Sequence, residues 1–209
     1  EKAGAEIEFL RGMIYFKRNE NASALAAFEK SIKLDPNFAE AHYYRAAIFD
    51  RLKRDTEAVA SYGEAVLIDP KFSPAWFDLA VAHYNAGRYE ESLKAYRRVV
   101  EIDTTNAQAH ANLAGVYRQL ERFKEANAEY KIAAETIKTD PDLFSEWGFC
   151  LGKVNDWEKA VARLNTAKDL SPSAVDFTNL GWGYFNAALE DIRNKKEAEA
   201  KAKLIEGKE

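Results

Sequence analysis

Apolar residues recur along this chain at three- and four-residue steps, in segments separated by short polar runs. Residues 5–18 and 22–34 both show this spacing, which is typical of amphipathic helices. The polar run 17–21 between them predicts a turn. Pro36 ends the second segment, because proline cannot continue a helix. The pattern therefore predicts a helical hairpin.

The same hairpin recurs every 34 residues through five copies. The windows are 5–38, 39–72, 73–106, 107–140 and 141–174. Two columns hold small residues, where antiparallel helices can approach closely: Gly12, Ala46, Ala80, Ala114 and Gly148, then Ala24, Ala58, Ser92, Ala126 and Ala160. Another column holds large residues that fill the space between hairpins: Phe28, Tyr62, Tyr96, Tyr130 and Leu164. This period predicts an all-α fold of stacked antiparallel hairpins with a continuous core.

These columns resemble the tetratricopeptide repeat (TPR). Repeat three is closest to the family pattern, with Trp76, Leu79, Ala80, Gly87, Arg88, Tyr89, Ser92 and Tyr96 in the family's places. The resemblance covers all five windows, and residues 175–209 add a sixth first helix followed by a charged capping helix or tail. It implies a single domain over 1–209, folded as a right-handed α-solenoid, the TPR superhelix.

Two departures from the family pattern carry expectations about packing. Arg11 and Arg45 stand where later repeats have large apolar residues. Leu10 and Tyr44 are therefore expected to take the buried role one place earlier. Lys138 stands where most other repeats have proline, so the second helix of repeat four is expected to run longer.

Charge and hydropathy narrow the classes of partner. The chain has 30 basic and 34 acidic side chains and no polybasic run, so binding through nucleic-acid phosphates is not expected. No stretch approaches the roughly 18 apolar residues of a membrane span. Because the sequence begins at Glu1 and not at methionine, we expect a fragment or a processed form. A cytoplasmic and an exported or periplasmic location both stay open.

No arrangement of residues for catalysis stands out in the sequence. Cys150 is the only cysteine and falls in a column of small apolar residues, which favours a buried side chain over a reactive thiol. His42, His83 and His110 fall in scaffold columns, and none has a metal-ligand spacing. We therefore expect neither enzymatic activity nor a cofactor or metal.

The resemblance implies that the first helices line a concave groove, in which peptides or helices of other proteins lie. The inward places are aromatic in the N-terminal half and turn polar after it. The residues expected to contact a ligand are Phe9, Met13, Phe16, Tyr43, Tyr44, Arg51, Phe77, Tyr84, Asn85, Asn112, Arg118, Gln119 and Asn179. The same places in the last two first helices also hold Ser145, Glu146, Phe149, Lys153, Trp182 and Phe185.

A second interpretation of these groove residues stays open. The aromatic residues can pack neighbouring first helices against each other. Bases such as Arg51 can complement a helix C-terminus instead of a ligand. The carboxylate clamp of chaperone-adaptor members is not expected, because only Asn112 and Asn179 fit its places. Both asparagines can still hydrogen-bond a peptide backbone.

Three hypotheses about function follow. The first is a non-enzymatic protein–protein interaction scaffold that binds other proteins in its groove. The second is a partner- or substrate-selecting region of a larger enzyme or of a secretion or assembly complex. The third is self-assembly into a homo-oligomer through the ends of the array, where Glu8 and Arg11 indicate a rather polar N-terminal face.

Overall fold

A computed structural model describes residues 2–172, 174–193 and 197–207. Within those residues the regular structure is helical and no strand occurs. The helices are α1 (Lys2–Lys17), α2 (Asn21–Leu34), α3 (Ala39–Arg51), α4 (Asp55–Ile68), α5 (Ser73–Asn85), α6 (Tyr89–Ile102), α7 (Ala107–Gln119), α8 (Phe123–Thr136), α9 (Pro141–Lys153), α10 (Trp157–Leu170), α11 (Ala174–Arg193) and α12 (Glu197–Glu206). This pattern confirms the expected all-α fold of repeated helical hairpins.

The chain forms two compact units, residues 1–104 and residues 105–209. Unit 1 holds α1 to α6, and unit 2 holds α7 to α12. Within each unit the two helices of a hairpin pack on each other, and each second helix packs on the first helix that follows it. The expectation of a single domain over 1–209 stays a prediction.

The helix boundaries keep the 34-residue step. The first helices α3, α5, α7 and α9 begin at residues 39, 73, 107 and 141. The second helix α8 has 14 residues, the same length as α2, α4 and α6. The expectation of a longer second helix in repeat four is therefore wrong. Ile137 adopts an extended backbone and ends α8 there without a proline.

Each hairpin turn places one residue in the left-handed backbone region. Among the residues that the structure describes, those with positive φ are Asn19, Lys53, Gly87, Glu121 and Asn155, again 34 residues apart. In each turn the next N–H bonds back five residues, as Glu20 N does to Tyr15 O at 2.9 Å. This is the Schellman ending of a helix, in which glycine is the usual residue. Only Gly87 follows that preference here.

The cores join the small columns to the large one. Ala24 and Phe28 are fully buried, and Phe28 packs with Ile48 of the next hairpin. A Cβ added at Gly12 would lie 2.5 Å from the Phe28 ring, and one at Gly148 would lie 2.6 Å from a Leu164 carbon. Helices α1 and α9 therefore reach their partners only because these positions lack a side chain.

The outer face of α1 differs from the expectation. Leu10 is 61% exposed, so the expected buried role for it is wrong. Its counterpart Tyr44 is half buried and stacks on Phe28, with ring centroids 5.8 Å apart. Helix α2 covers Tyr44, whereas no second helix precedes α1 in the described structure. Ile7 and Ile14 are exposed beside Leu10, which makes this face apolar.

Glu8 does not make that face polar, because its side chain is only 10% exposed. Its carboxylate accepts a hydrogen bond from Lys30 at 2.6 Å and one from Arg11 at 3.0 Å. The bond from Lys30, helped by the charge of Arg11, lowers the pKa of Glu8. The ion pair with Lys30 joins α1 to α2.

The last two helices pack on each other, and α11 also packs on α10. Lys203 of α12 forms a salt bridge of 2.8 Å with the nearly buried Asp191 of α11. This bond raises the pKa of Lys203. The expected capping region includes residues 194–196 and 208–209, which lie outside the described residues.

Candidate functional site

The first helices of neighbouring hairpins form one surface in each unit, the first-helix face. It consists of α1, α3 and α5 in unit 1 and of α7, α9 and α11 in unit 2. Direct bonds join these helices. The Tyr43 hydroxyl of α3 donates to Asp78 Oδ2 of α5 at 2.8 Å, and Arg118 of α7 bonds Glu146 of α9 at 3.0 Å.

In unit 1 the apolar residues expected to contact a ligand are half buried. They are Phe9, Met13, Phe16, Tyr43, Tyr44, Phe77 and Tyr84. The Phe9 ring lies 4.8 Å from the Phe38 ring and 5.7 Å from the Phe28 ring. Met13 packs on the same core. Much of this set therefore holds hairpins together and does not form an open apolar patch.

Arg51 lies across the end of the neighbouring first helix. Its Nη1 donates to Phe16 O at 3.1 Å and to Asn19 Oδ1 at 3.3 Å. Its guanidinium carbon lies 3.6 Å from the centre of the Phe16 ring. A cation that bonds a terminal carbonyl complements the helix dipole. These contacts support the scaffold interpretation of Arg51.

Two aspartates on the unit 1 face each accept a hydrogen bond from a tyrosine. Tyr43 donates to Asp78, and Tyr62 donates to Asp50, both at 2.8 Å. Burial raises the pKa of Asp50 and of Asp78, although the tyrosine bonds act against this. Burial also raises the pKa of Tyr43, with a further contribution from the charge of Asp78.

The other expected residues of unit 1 lie on α5. The Phe77 ring stands edge-on to the Tyr96 ring at 5.4 Å, and Tyr84 stands edge-on to Tyr89 at the same distance. Asn85, the last residue of α5, is exposed.

Unit 2 has a cavity of about 280 Å³ on its first-helix face. Three helices line it: α7 supplies one residue, α9 three and α11 two. The lining residues are Arg118, Ser145, Glu146, Phe149, Val175 and Asn179. The structure thus brings Arg118 and Asn179, both expected in the groove, to one cavity.

Glu146 is bonded through both of its carboxylate oxygens. Arg118 Nη2 donates to Oε1 at 3.0 Å, and the Tyr130 hydroxyl donates to Oε2 at 2.6 Å. Tyr130 is 1% exposed, whereas the Glu146 side chain is 41% exposed. Burial, followed by the charge of Glu146, raises the pKa of Tyr130. The network ties the second helix α8 to the first-helix face.

Apolar side chains continue from the cavity along α11. Val175, Trp182 and Phe185 are 64%, 36% and 53% exposed. Trp182 stands edge-on to Trp157, with centroids 4.7 Å apart, and it occupies the space that a Cβ at Gly152 would need. The exposed apolar surface of unit 2 is therefore larger than its polar inward places indicate.

Two expected residues of unit 2 do not line the cavity. Asn112 accepts a hydrogen bond from Gln108 at 3.0 Å, and Gln119 is the exposed last residue of α7. The inward places of repeat five already hold Glu146 and Phe149, but nothing in the sequence indicates the bond from Glu146 to Arg118. The expected residues also omit Val175, although it lies one turn before Asn179 on α11.

The histidines and the cysteine have structural contacts. His42 Nε2 lies 3.0 Å from Pro36 O, and His110 Nδ1 lies 2.6 Å from Glu129 Oε2. Burial lowers the pKa of His42 and raises that of Cys150 to about 12. Cys150 is fully buried, which confirms the expected buried side chain. Among the described residues no three His, Cys, Asp or Glu side chains are placed to hold a metal ion. None of the described helices has the length and apolar character that a membrane crossing needs.

Family models match most of the chain. A model described as TPR repeat matches residues 12–53, and two described as tetratricopeptide repeat match 39–72 and 73–106. A fourth, described as YpiA-like, C-terminal tetratricopeptide repeats, matches 107–173. The comparison with curated proteins finds no match.

Solved TPR structures share the fold. The MamA protein is 18% identical, with a TM-score of 0.73 over 80% of this chain and 91% of that chain. YrrB, described as a TPR protein with an unusual peptide-binding site, is 18% identical, with a TM-score of 0.69 over 87% and 90%. A tetratricopeptide repeat protein from Parabacteroides merdae is 15% identical, with a TM-score of 0.72 over 96% and 77%.

Proposed function

Because this chain belongs to the tetratricopeptide repeat family, we propose that it is a non-enzymatic scaffold that binds a peptide or a helical segment of partner proteins on its first-helix face. The observation that carries the proposal is the unit 2 cavity, which three first helices line. Its volume of about 280 Å³ lies at the lower end of the roughly 300–1,000 Å³ typical of ligand sites.

The lining supports this proposal chemically. Phe149 and Val175 offer apolar walls, and exposed aromatic residues follow on α11. Ser145 and Asn179 offer hydroxyl and amide groups that can bond a peptide backbone. An apolar anchor site with a polar rim is the usual build of a protein-binding surface. The fold shared with YrrB, which is described as having a peptide-binding site, adds support.

Unit 1 contributes a different surface to the proposal. We assign partner contact there to Phe77, Tyr84 and Asn85 on α5, beside the two tyrosine-bonded carboxylates. Those carboxylates suit basic side chains of a partner. The remaining expected residues act mainly through packing: Phe9, Met13, Phe16, Tyr43, Tyr44 and Arg51. In unit 2 we assign partner contact to Arg118 and Asn179, which line the cavity. We assign it also to Asn112 and Gln119, which lie on α7 with Arg118.

The test is selection from a random dodecapeptide library displayed inside a loop of a carrier protein. We expect enriched peptides to bind the wild-type chain, and Phe149→Ala and Asn179→Ala each to weaken that binding about tenfold or more. Ile132→Ala removes an exposed apolar side chain from α8, away from the cavity, and should leave the affinity unchanged. Enriched peptides that bind both cavity variants with wild-type affinity would rule out the cavity as the site.

Self-association is a second candidate, favoured by the exposed apolar face of α1. Ile7, Leu10 and Ile14 lie one turn apart and are more than half exposed. Apolar stripes of this kind often mark contacts between proteins. Sedimentation velocity over a concentration series should show association that Ile14→Glu abolishes. A monomer at every concentration would eliminate this candidate.

A further inference from the structure

The unit 2 cavity contains a charged pair whose charges cancel. Arg118 is the cationic lining residue and Glu146 the anionic one, and they are bonded to each other at 3.0 Å. The second oxygen of Glu146 is held by Tyr130, a side chain that is 1% exposed. This bond fixes the carboxylate from behind, and it keeps the negative charge beside the arginine.

The neutral pair of Arg118 and Glu146 limits which ligand groups the cavity can bind. A ligand carboxylate that approaches Arg118 meets the carboxylate of Glu146, and a ligand ammonium that approaches Glu146 meets Arg118. Either ligand charge would lose water without gaining an uncompensated partner, which is unfavourable. The remaining lining adds no charge, since it consists of Ser145, Phe149, Val175 and Asn179. Lys153 lies 5.1 Å from the centre of the Phe149 ring but does not line the cavity.

We propose that Glu146 is the specificity-determining residue of this cavity, and that the cavity takes an uncharged apolar side chain of a segment within a partner chain, not an acidic side chain or a terminal carboxylate. The apolar side chain would lie between Phe149 and Val175, with its backbone near Ser145 and Asn179. The inference rests on the proposed peptide-binding function, and it states which peptides that function selects.

The first arm of the test changes the peptide. Peptides enriched from the internal dodecapeptide library are synthesised with blocked ends, and each position is replaced in turn by alanine, aspartate and lysine. We expect one aliphatic or aromatic anchor position, at which aspartate or lysine weakens binding to the wild-type chain by about 30-fold or more. Measured against the Phe149→Ala protein, the same anchor replacements should weaken binding much less, because that protein has already lost the wall that the anchor contacts.

The second arm changes the charge of the cavity. Glu146→Gln retains an amide that can bond Tyr130 and removes the negative charge that lies beside Arg118. We expect this variant to bind the aspartate-anchored peptide about tenfold more tightly than the wild type does, since the opposite charges now attract. The double variant Arg118→Gln/Glu146→Gln is neutral again and should recover the wild-type preference. Glu125→Gln, which removes the partner of Arg122 away from the cavity, is the matched control and should change nothing.

The outcomes separate the inference from the function on which it rests. Failure of the library to enrich any peptide, or enrichment that both Phe149→Ala and Asn179→Ala leave intact, overturns the proposed function and the inference with it. Cavity-dependent peptides with an acidic anchor overturn the inference alone. An unchanged anchor preference in a Glu146→Gln protein that melts like the wild type also overturns the role of Glu146.

Discussion

At the scale of single residues, Gly12 shows what the small column does. The position lies on α1 opposite the Phe28 ring, and an added Cβ would come within 2.5 Å of it. Other repeats accept alanine in this column, as Ala46 and Ala80 do. In repeat one the Phe28 ring itself lies in the space that a Cβ at position 12 would need.

We expect Gly12→Ala to destabilise the chain by about 1–3 kcal/mol through overpacking. Gly63→Ala is the control, since Gly63 lies inside α4 with no atom within 4 Å of an added Cβ. That change should stabilise the chain by about 0.5–1 kcal/mol through helix propensity. Urea unfolding followed by circular dichroism measures both. Equal effects of the two substitutions would contradict the packing argument.

The turn residues permit a second test at this scale. Gly87 and Glu121 have φ of 71° and 56° at equivalent places. Nothing lies within 4 Å of a Cβ at Gly87, so Gly87→Ala affects only the backbone and should cost about 1 kcal/mol. Glu121→Gly relieves the same strain and should change stability in the opposite direction. Urea unfolding measures both stability changes. An unfolding midpoint for Gly87→Ala equal to that of the wild type would contradict the predicted backbone strain.

At the scale of helices, the contact between α3 and α5 combines packing with charge. Tyr43 of α3 bonds Asp78 of α5, and Asp50 at the end of α3 is bonded by Tyr62. Both carboxyl groups have raised pKa values because they lose water on folding. The tyrosines offset part of that cost. The contact therefore joins the helices and also sets a negative charge on the first-helix face.

This arrangement predicts a pH dependence. The folded chain holds a proton on Asp78 more tightly than the unfolded chain does, so the contribution of Asp78 to stability is greatest below the unfolded pKa. It is lost as the pH rises through the folded pKa. Asp78→Asn, which still accepts a bond from Tyr43, should stabilise the chain at pH 7 by less than about 1 kcal/mol, since the group is partly exposed.

The difference between Asp78→Asn and the wild type should shrink as the pH falls towards 3, where the carboxyl group is protonated in both states. Urea unfolding at several pH values measures it. Glu64→Gln, a change at an exposed position of α4, serves as the control. A gain from Asp78→Asn that is constant with pH would contradict the explanation.

At the scale of the whole molecule, each unit buries its core between hairpins, and Cys150 reports on that burial in unit 2. The thiol is fully buried and its pKa is raised to about 12. Reaction with a thiol reagent requires the thiolate and access to it, and both are absent while unit 2 stays folded.

We expect Cys150 to react with a thiol reagent at pH 8 at least about a hundredfold more slowly than an exposed cysteine, because reaction must wait for opening of the fold. The reference is the Thr139→Cys variant, which adds an exposed thiol in the connection between α8 and α9. This variant should react in two phases, a fast one from position 139 and a slow one from Cys150. Added urea should accelerate only the slow phase. Rapid reaction of both thiols in native buffer would show that the core is open.

Much of the architecture was accessible from the sequence, because it depends on local and periodic rules. The hairpins, their 34-residue step, the turn positions and the close approach at Gly12 all follow from which side chains are small, large or polar. The predictions from the sequence were wrong where burial or helix length depends on a neighbouring element. In the described structure no second helix covers Leu10 as α2 covers Tyr44, and α8 ends at Ile137 without the proline found in most other repeats.

The same distinction between local pattern and tertiary contact applies to the candidate site. The amino-acid sequence by itself determined the helices, their order and the inward register that carries Arg118, Glu146 and Asn179, because each repeat is encoded in about 34 consecutive residues. Only the tertiary structure decided that the N-terminal aromatic residues are largely packing and that the cavity is in unit 2. It alone decided that Glu146 neutralises Arg118 there. These outcomes depend on distances between side chains of different hairpins, which no local pattern along the chain specifies.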